Sequence, residues 1–214
     1  MGHELSGVIV EAGSAVTAWK PGDRVTCDST EYCGNCFYCQ RGEINLCDNR
    51  RVLGVSTGEY RRHGAFAEYV AVPQRILYKL PAGVSFAQAA MVEPLSIAFH
   101  AVDITPVRLN DSAIVVGAGM IGLLVIQVLR VAGCGQIIAV DLDQDRLDLA
   151  CQLGADLGLR SDDSALAQKV LENTSVRGAD RAFEVVGIPL TINTAVSSVR
   201  KGGSVTLVGN LSPA

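Results

Sequence analysis

Four cysteines stand at Cys33, Cys36, Cys39 and Cys47, spaced C-x2-C-x2-C-x7-C. Two-residue gaps let one tight loop turn successive sulfurs inward, and four thiolates complete a tetrahedral zinc site. Gly34, Asn35 and Gly42 supply the turns. An iron–sulfur cluster is the alternative, but the last gap is long and no proline follows Cys47. Zinc held by four sulfurs has no open position, so this lobe is structural rather than catalytic. Cys27, Cys134 and Cys151 fall outside the spacing and read as buried apolar thiols.

A second pattern is Gly117-Ala118-Gly119-Met120-Ile121-Gly122, a G-x-G-x-x-G turn. Alone it is a weak signal. Here it follows the apolar run Ala113–Val116, opens the helical pattern through Leu129, and precedes Asp141 by 22 residues counted from Gly119. That context is the dinucleotide fingerprint. Gly117 permits the tight turn, Gly119 a close backbone approach to pyrophosphate, and Gly122 close packing of helix on strand. The helix N-terminus offers amide donors and a positive dipole end. Asp141 can accept both ribose hydroxyls and repels a 2′-phosphate, which favours NAD over NADP.

A third set is less specific. Gly2-His3-Glu4 precedes a strand-like run, and Glu93-Pro94-Leu95-Ser96 sits in an apolar stretch from Ala89 to Ala101. An acid among Met91, Val92, Leu95 and Ile97 is costly unless paired, metal-bound or turned to water. Spacing alone leaves a second metal site and a solvent-facing helix end both open. His100 reads as a hydrogen-bonded core histidine. Arg50-Arg51 and Arg61-Arg62-His63 read as a solvated loop in preference to a phosphate site.

These residues are positioned by two different patterns. Before about Asp103 the chain shows short strands, Leu5–Glu11, Asp23–Thr26, Phe66–Val72 and Ile76–Lys79, separated by Gly, Pro and Asp turns. Ser85 with Gln88 has the capping-box spacing, and Pro94 is expected to break the helix before Leu95–Val102 resumes it. From Asn110 onward strands and helices alternate. Strands are expected at Ser112–Val116, Ile137–Val140, Leu157–Leu159, Arg181–Val186 and Ser204–Val208. Helices are expected at Met120–Val131, Gln144–Leu153 with Gly154 as a left-handed C-cap, near Ser164–Asn173, and from Pro189. That alternation implies a parallel sheet with right-handed crossovers. The expected class is α/β, a doubly wound sheet over 107–214 preceded by a mostly β, zinc-binding part over 1–106.

Composition excludes several classes. The chain has 214 residues, 49% hydrophobic, with a net charge of −4, which excludes a disordered tail. A pI of about 5.4 with no long Lys/Arg run argues against a nucleic-acid binder. Ser112–Leu129 is 18 residues without a charge, yet its glycines fit a strand, turn and helix better than a membrane span. No charged, cleavable apolar leader opens the sequence, so a cytoplasmic location is expected.

Taken together, Gly2-His3-Glu4, the four-cysteine lobe and Gly117–Gly122 with Asp141 resemble the zinc-dependent medium-chain alcohol dehydrogenases. Glu93-Pro94-Leu95-Ser96 makes the chain most similar to the polyol branch: sorbitol, iditol and hexitol-phosphate dehydrogenases. Gly64-Ala65-Phe66-Ala67-Glu68-Tyr69 also matches a family strand, and the resemblance runs from Gly2 to about Asn210. It implies a GroES-like catalytic domain followed by a Rossmann domain. It also implies one structural and one catalytic zinc, and hydride transfer between a polyol or secondary alcohol and NAD. By the same resemblance His3 is a ligand of the catalytic zinc, Glu4 a direct or switching ligand, and Glu93 an acidic ligand, direct or through the zinc-bound water. Ile121, Asp141 and Arg146 contact NAD, and Val208, Gly209 and Asn210 line its nicotinamide side. A threonine 3-dehydrogenase-like activity and an inactive zinc- and NAD-binding fragment are the alternatives. The family's upstream cysteine ligand and its last strands have no counterpart here, so an internal fragment is expected, forming a homo-oligomer when complete.

Overall fold

The computed structural model describes residues 1–55, 58 and 61–211. They form two compact units, Met1–Glu93 and Pro94–Ala214.

The first unit is built from short strands. β1 (Ser6–Val8), β2 (Arg24–Cys27) and β6 (Leu77–Lys79) make an antiparallel sheet with β2 central. β3 (Thr30–Glu31), β4 (Arg51–Leu53) and β5 (Arg61–Arg62) make a second small sheet. Cys27, Leu53 and Ile76 form its core, with Leu5, Val70 and Val72 against them. The one-turn helix α1 (Phe37–Gln40) carries Cys39. Helix α2 (Phe86–Ala90) starts at the expected capping box: Ser85 Oγ accepts from the Gln88 amide at 3.2 Å, and Gln88 Oε1 accepts from the Ser85 amide at 2.9 Å.

The second unit is the doubly wound sheet. α3 (Val92–Asp103) leads into β7 (Ser112–Val116), α4 (Met120–Val131), β8 (Gln136–Asp141), α5 (Gln144–Gln152) and β9 (Leu157–Arg160). α6 (Leu166–Glu172), β10 (Ala179–Glu184), α7 (Pro189–Ser198) and β11 (Val199–Leu207) follow. All five strands are parallel, in the order β11-β10-β7-β8-β9. Successive residues of a strand face opposite ways, and the inner positions of the central strands β7 and β8 are apolar throughout, so both faces must be covered. Ala113, Val115, Ile137 and Ala139 join one core with Val125, Ile126 and Leu129 of α4. Ile114, Val116, Ile138 and Val140 join the other with Val170 of α6 and Ala195 of α7. The uncharged stretch Ser112–Leu129 is thus β7, the glycine turn and α4. Among the described residues no helix is long and apolar enough to cross a membrane.

Several expectations are corrected. No strand forms over Phe66–Val72, and β1 stops at Val8. Strand pattern becomes strand only beside a partner, and among the described residues none runs alongside 66–72. A groove of about 380 Å³ lies there instead, bordered by Val8, Val10, Ala67 and Tyr69. Pro94 does not break a helix: it sits in the first turn of α3, where its missing N–H costs nothing, and the break falls at Met91. β10 and β11 begin earlier than expected, at Ala179 and Val199, because these two residues pair across a register shift that lies between Ala179 and Arg181. His100 is exposed on α3 rather than in the core, and Cys151 is exposed on α5. Each lies on the face its helix turns to water.

Candidate functional site

The cysteine lobe closes as its spacing demands. Gly34 and Gly42 take φ of +83° and +82°, and these left-handed turns fold the loop on itself. The four Sγ atoms lie within 4.8 Å of one another, with Cys33 and Cys39 4.0 Å apart. Tetrahedral zinc at ~2.3 Å from each sulfur needs sulfurs about 3.8 Å apart, so the donor set fits zinc. The Cys33 amide donates to Cys47 Sγ at 3.2 Å, and Asn49 Nδ2 to Cys33 Sγ at 3.7 Å. Backbone donation from Asn35, aided by Cys36 and Asn49, lowers the Cys33 thiol to about 6. Desolvation raises Cys39 to about 12. Clustered thiols cannot all shed protons unless a cation shares the charge.

His3, Glu4 and Glu93 also meet, each offering a ligand atom within 4.8 Å of the others. They come from opposite ends of the first unit, and backbone crossings bring them together. The Gly2 carbonyl accepts from the Ala65 amide at 2.9 Å, and the Met1 carbonyl from Phe66 at 3.1 Å. A Cβ on Gly54 would lie 2.1 Å from the Gly2 oxygen, and one on Gly64 would lie 2.4 Å from it. Only glycine fits at either crossing. Thr26 Oγ1 donates to the Leu5 carbonyl at 2.7 Å and fixes the chain just past Glu4. Glu93 is raised by desolvation, lowered by His3, and raised further by Glu4 and Asp28. One imidazole and two carboxylates in a half-buried cluster fit a divalent cation.

In the second unit the glycine turn takes the form its sequence implies. Gly117 has φ of +105°. A Cβ on Gly122 would lie 1.8 Å from the Gly117 oxygen, so helix and strand touch there. Gly119 is the N-cap of α4, and a Cβ there would meet nothing within 4 Å, which leaves the open approach a phosphate needs. Ile121 packs on the core beneath. Asp141 Oδ2 accepts from the Ala118 amide at 2.7 Å, Oδ1 from Asp143 at 3.0 Å, and Arg146 Nη1 stands 3.9 Å from Oδ2. Val208 and Gly209 follow β11 and donate to the Glu184 carbonyl at 2.8 and 3.0 Å. Asn210 crosses close to Gly187, whose added Cβ would lie 2.3 Å from the Asn210 oxygen.

The arginine loop is corrected too. Arg51 and Arg61-Arg62 lie in β4 and β5, and Arg62 Nε donates to buried Glu31 at 2.9 Å while Arg51 stands 3.5 Å from the same carboxylate. Arg50 donates to the Asn45 carbonyl at 2.6 Å. Sequence reasoning missed Gly54, Gly64, Asp28 and Glu184. For Glu184 a partial signal existed: it follows Ala182-Phe183 and precedes Val185-Val186, an acid between apolar neighbours, the kind of argument that singled out Glu93.

Known proteins match along nearly the whole chain. Residues 1–82 match the alcohol dehydrogenase GroES-like domain, and residues 121–214 match the zinc-binding dehydrogenase family. A sorbitol dehydrogenase from Halalkalibacterium halodurans is 40% identical over 98% of this chain and 60% of its own length. The alcohol dehydrogenase TADH from Thermus sp. ATN1 superposes with a TM-score of 0.92 at 34% identity, covering 100% of this chain and 63% of that one. A zinc-binding dehydrogenase from Sinorhizobium meliloti 1021 bound to NADP gives 0.89 at 34% identity, over 98% and 60%. The chain spans about 60% of the length of the curated relative it matches. With its GroES-like segment, four-sulfur lobe and doubly wound sheet, the chain matches both domains of the zinc-dependent alcohol dehydrogenases.

Proposed function

We propose that this chain is the zinc- and nucleotide-carrying part of a dehydrogenase that moves a hydride between a polyol, or related secondary alcohol, and NAD. The convergence of His3, Glu4 and Glu93 carries the reading. It is a mixed nitrogen–oxygen set of three, beside a closed set of four sulfurs. Three protein ligands leave a position for substrate, and four sulfurs leave none. Residues 1–106 would form the zinc-binding part and 107–214 the nucleotide part.

Bound zinc supplies Lewis acidity toward an alcohol oxygen, and bound NAD supplies the hydride acceptor. The chain's own residues hold and orient. His3 offers a ring nitrogen, and Glu4 and Glu93 offer carboxylates that share the charge. Glu93 is half-buried and raised by desolvation, and a bound cation would favour its charged form. Gly117, Gly119 and Gly122 leave room for pyrophosphate at the α4 N-terminus, with Ile121 as the floor. Asp141 accepts from ribose hydroxyls and disfavours a 2′-phosphate. Arg146 stands on the adenosine side, and Val208, Gly209 and Asn210 on the nicotinamide side. The NADP-bound relative supports a nicotinamide dinucleotide. The choice of NAD rests on Asp141.

The partner is a small polyol, with no nucleic acid or membrane. A homo-oligomer is the expected state of the full-length parent. The free cysteines suit the cytoplasm.

The test is zinc per chain by mass spectrometry, with alcohol-dependent NADH formation by the full-length parent. Two zincs, one lost in Cys36→Ser and the other in His3→Ala, with turnover on a polyol, is the expected result. One zinc that survives His3→Ala and Glu93→Ala, with no turnover on any polyol, would leave only a binding fragment.

A further inference from the structure

Glu184 ends β10 and is fully buried. Its Oε1 accepts from the Val186 amide at 2.9 Å, the Gly187 amide at 2.8 Å and the Thr191 hydroxyl at 2.7 Å. Its Oε2 is the one buried side-chain polar atom without a partner among the described residues. A buried carboxylate with an idle oxygen is costly, and an apolar residue would fill the same place more cheaply. The charge therefore needs a reason.

That reason lies in what the residue fastens. Its carbonyl accepts from Val208 and Gly209 after β11, while its side chain holds the turn after β10. One residue thus ties together two neighbouring strand ends. A Cβ on Gly209 would lie 2.8 Å from Glu184 Oε2 and 2.3 Å from the Gly187 amide nitrogen, so the two turns are in close contact. On the other side, a Cβ on Gly117 would lie 2.6 Å from Val186 Cγ2. The held turn is therefore the wall of the glycine turn. β7 leads outward to β8 and β9 on one side and is flanked by β10 and β11 on the other, so the winding reverses between β7 and β10. Ligands of such sheets bind at the carboxyl ends of the strands at this reversal. Gly117 and Val186 face each other across it.

We propose that Glu184 is a positioning residue of the dinucleotide site. Its carboxylate sets the Val186–Gly187 turn that receives the half of the dinucleotide beyond the pyrophosphate. The proposal rests on the cofactor reading above. Asp141 and Arg146 serve the adenosine half from β8, on the far side of β7, so the effect of Glu184 is confined to the nicotinamide half.

The experiment is calorimetric binding of NAD and of ADP to the 214-residue chain and its variants, with thermal midpoints recorded. Glu184→Ala should weaken NAD by about tenfold or more and ADP by less than about twofold, since each lost charge-assisted hydrogen bond is a tenfold-scale effect. Glu184→Gln, whose Oε1 still accepts all three donors, should restore NAD binding to within about threefold of wild type. If Glu184→Ala does not fold, Thr191→Val carries the test, with NAD weakened by about threefold and ADP unchanged. Equal losses for NAD and ADP, or no loss for either, overturn the proposal while the cofactor reading stands. A wild-type chain that binds neither nucleotide overturns the cofactor reading, and the proposal with it.

Discussion

Asp141 accepts a hydrogen bond from the Ala118 amide at 2.7 Å, which ties the acid at the end of β8 to the glycine turn at the end of β7. The carboxylate is held against the glycine turn by this bond. On the proposed cofactor reading, replacing it removes both a ribose acceptor and a repulsive charge. In Asp141→Asn, NAD affinity should fall by about tenfold and the preference for NAD over NADP should shrink by at least as much. Titration of both dinucleotides checks this. An unchanged preference would remove Asp141 from cofactor choice.

Glu93 is the next prediction. In the full-length parent, Glu93→Ala should lower kcat by about a hundredfold or more while NAD affinity stays within about twofold, as loss of a metal-site group does. Steady-state kinetics with parallel NAD titration separates the two effects. Near-full turnover would take Glu93 out of the metal site.

The lobe has its own signature. Cys36→Ser, or exhaustive EDTA treatment, should remove zinc and lower the thermal midpoint together, because metal binding there is folding free energy. Zinc content and melting, measured on the same sample, make the comparison. A midpoint unmoved by zinc loss would mean the lobe folds without metal.

Asp180 sets an acid limit. Burial alone would raise it, but the Ser112 amide and hydroxyl at 2.8 Å and the Arg200 guanidinium at 2.6 Å outweigh burial and hold it down at about 2. The folded value lies below the unfolded one of about 3.9, so the stabilisation is complete above ~pH 4 and is lost as pH falls toward 2. With the carboxylate partly open to solvent, the effect is about 1 kcal/mol. Asp180→Asn should flatten stability against pH across that window, as urea unfolding at several pH values would show.

Glu31 predicts stability rather than chemistry. It is buried at 6% exposure and pairs with Arg62, itself half-buried, at 2.9 Å. Glu31→Ala leaves that guanidinium without its counter-charge and should cost about 1–3 kcal/mol. Urea unfolding would reveal the loss, and a cost near zero would mean the pair is solvated.

What could be read from residues alone follows from how local each feature is. The cysteine lobe spans Cys33 to Cys47 and the glycine turn spans Gly117 to Gly122, so spacing carries their geometry. The alternation from Ser112 onward was equally plain, because buried strands and capped helices are written in consecutive residues. Phe66–Val72 has the strand pattern and forms no strand, because a strand is a property of two segments and among the described residues no strand pairs with 66–72. His100 and Cys151 failed because an apolar neighbourhood in sequence does not say which side of a helix meets water. Arg62 was hidden by its distance from Glu31, 31 residues away. Gly54 and Gly64 matter only because Gly2 crosses them, a fact no local pattern contains.

The four-sulfur lobe also sets a failure route. Sulfurs gathered within 4.8 Å are quiet only while a cation shares their charge. Stripped of it, one thiolate can be oxidised by a peroxide to a sulfenic acid, and a neighbouring thiolate then displaces water from it to close a disulfide. Cys33, lowered to about 6 by backbone donation from Asn35, is the thiol most readily ionised and so most open to the oxidant. Metal loss and oxidation are then sequential steps of one inactivation, and the second closes the door on rebinding until a reductant opens it.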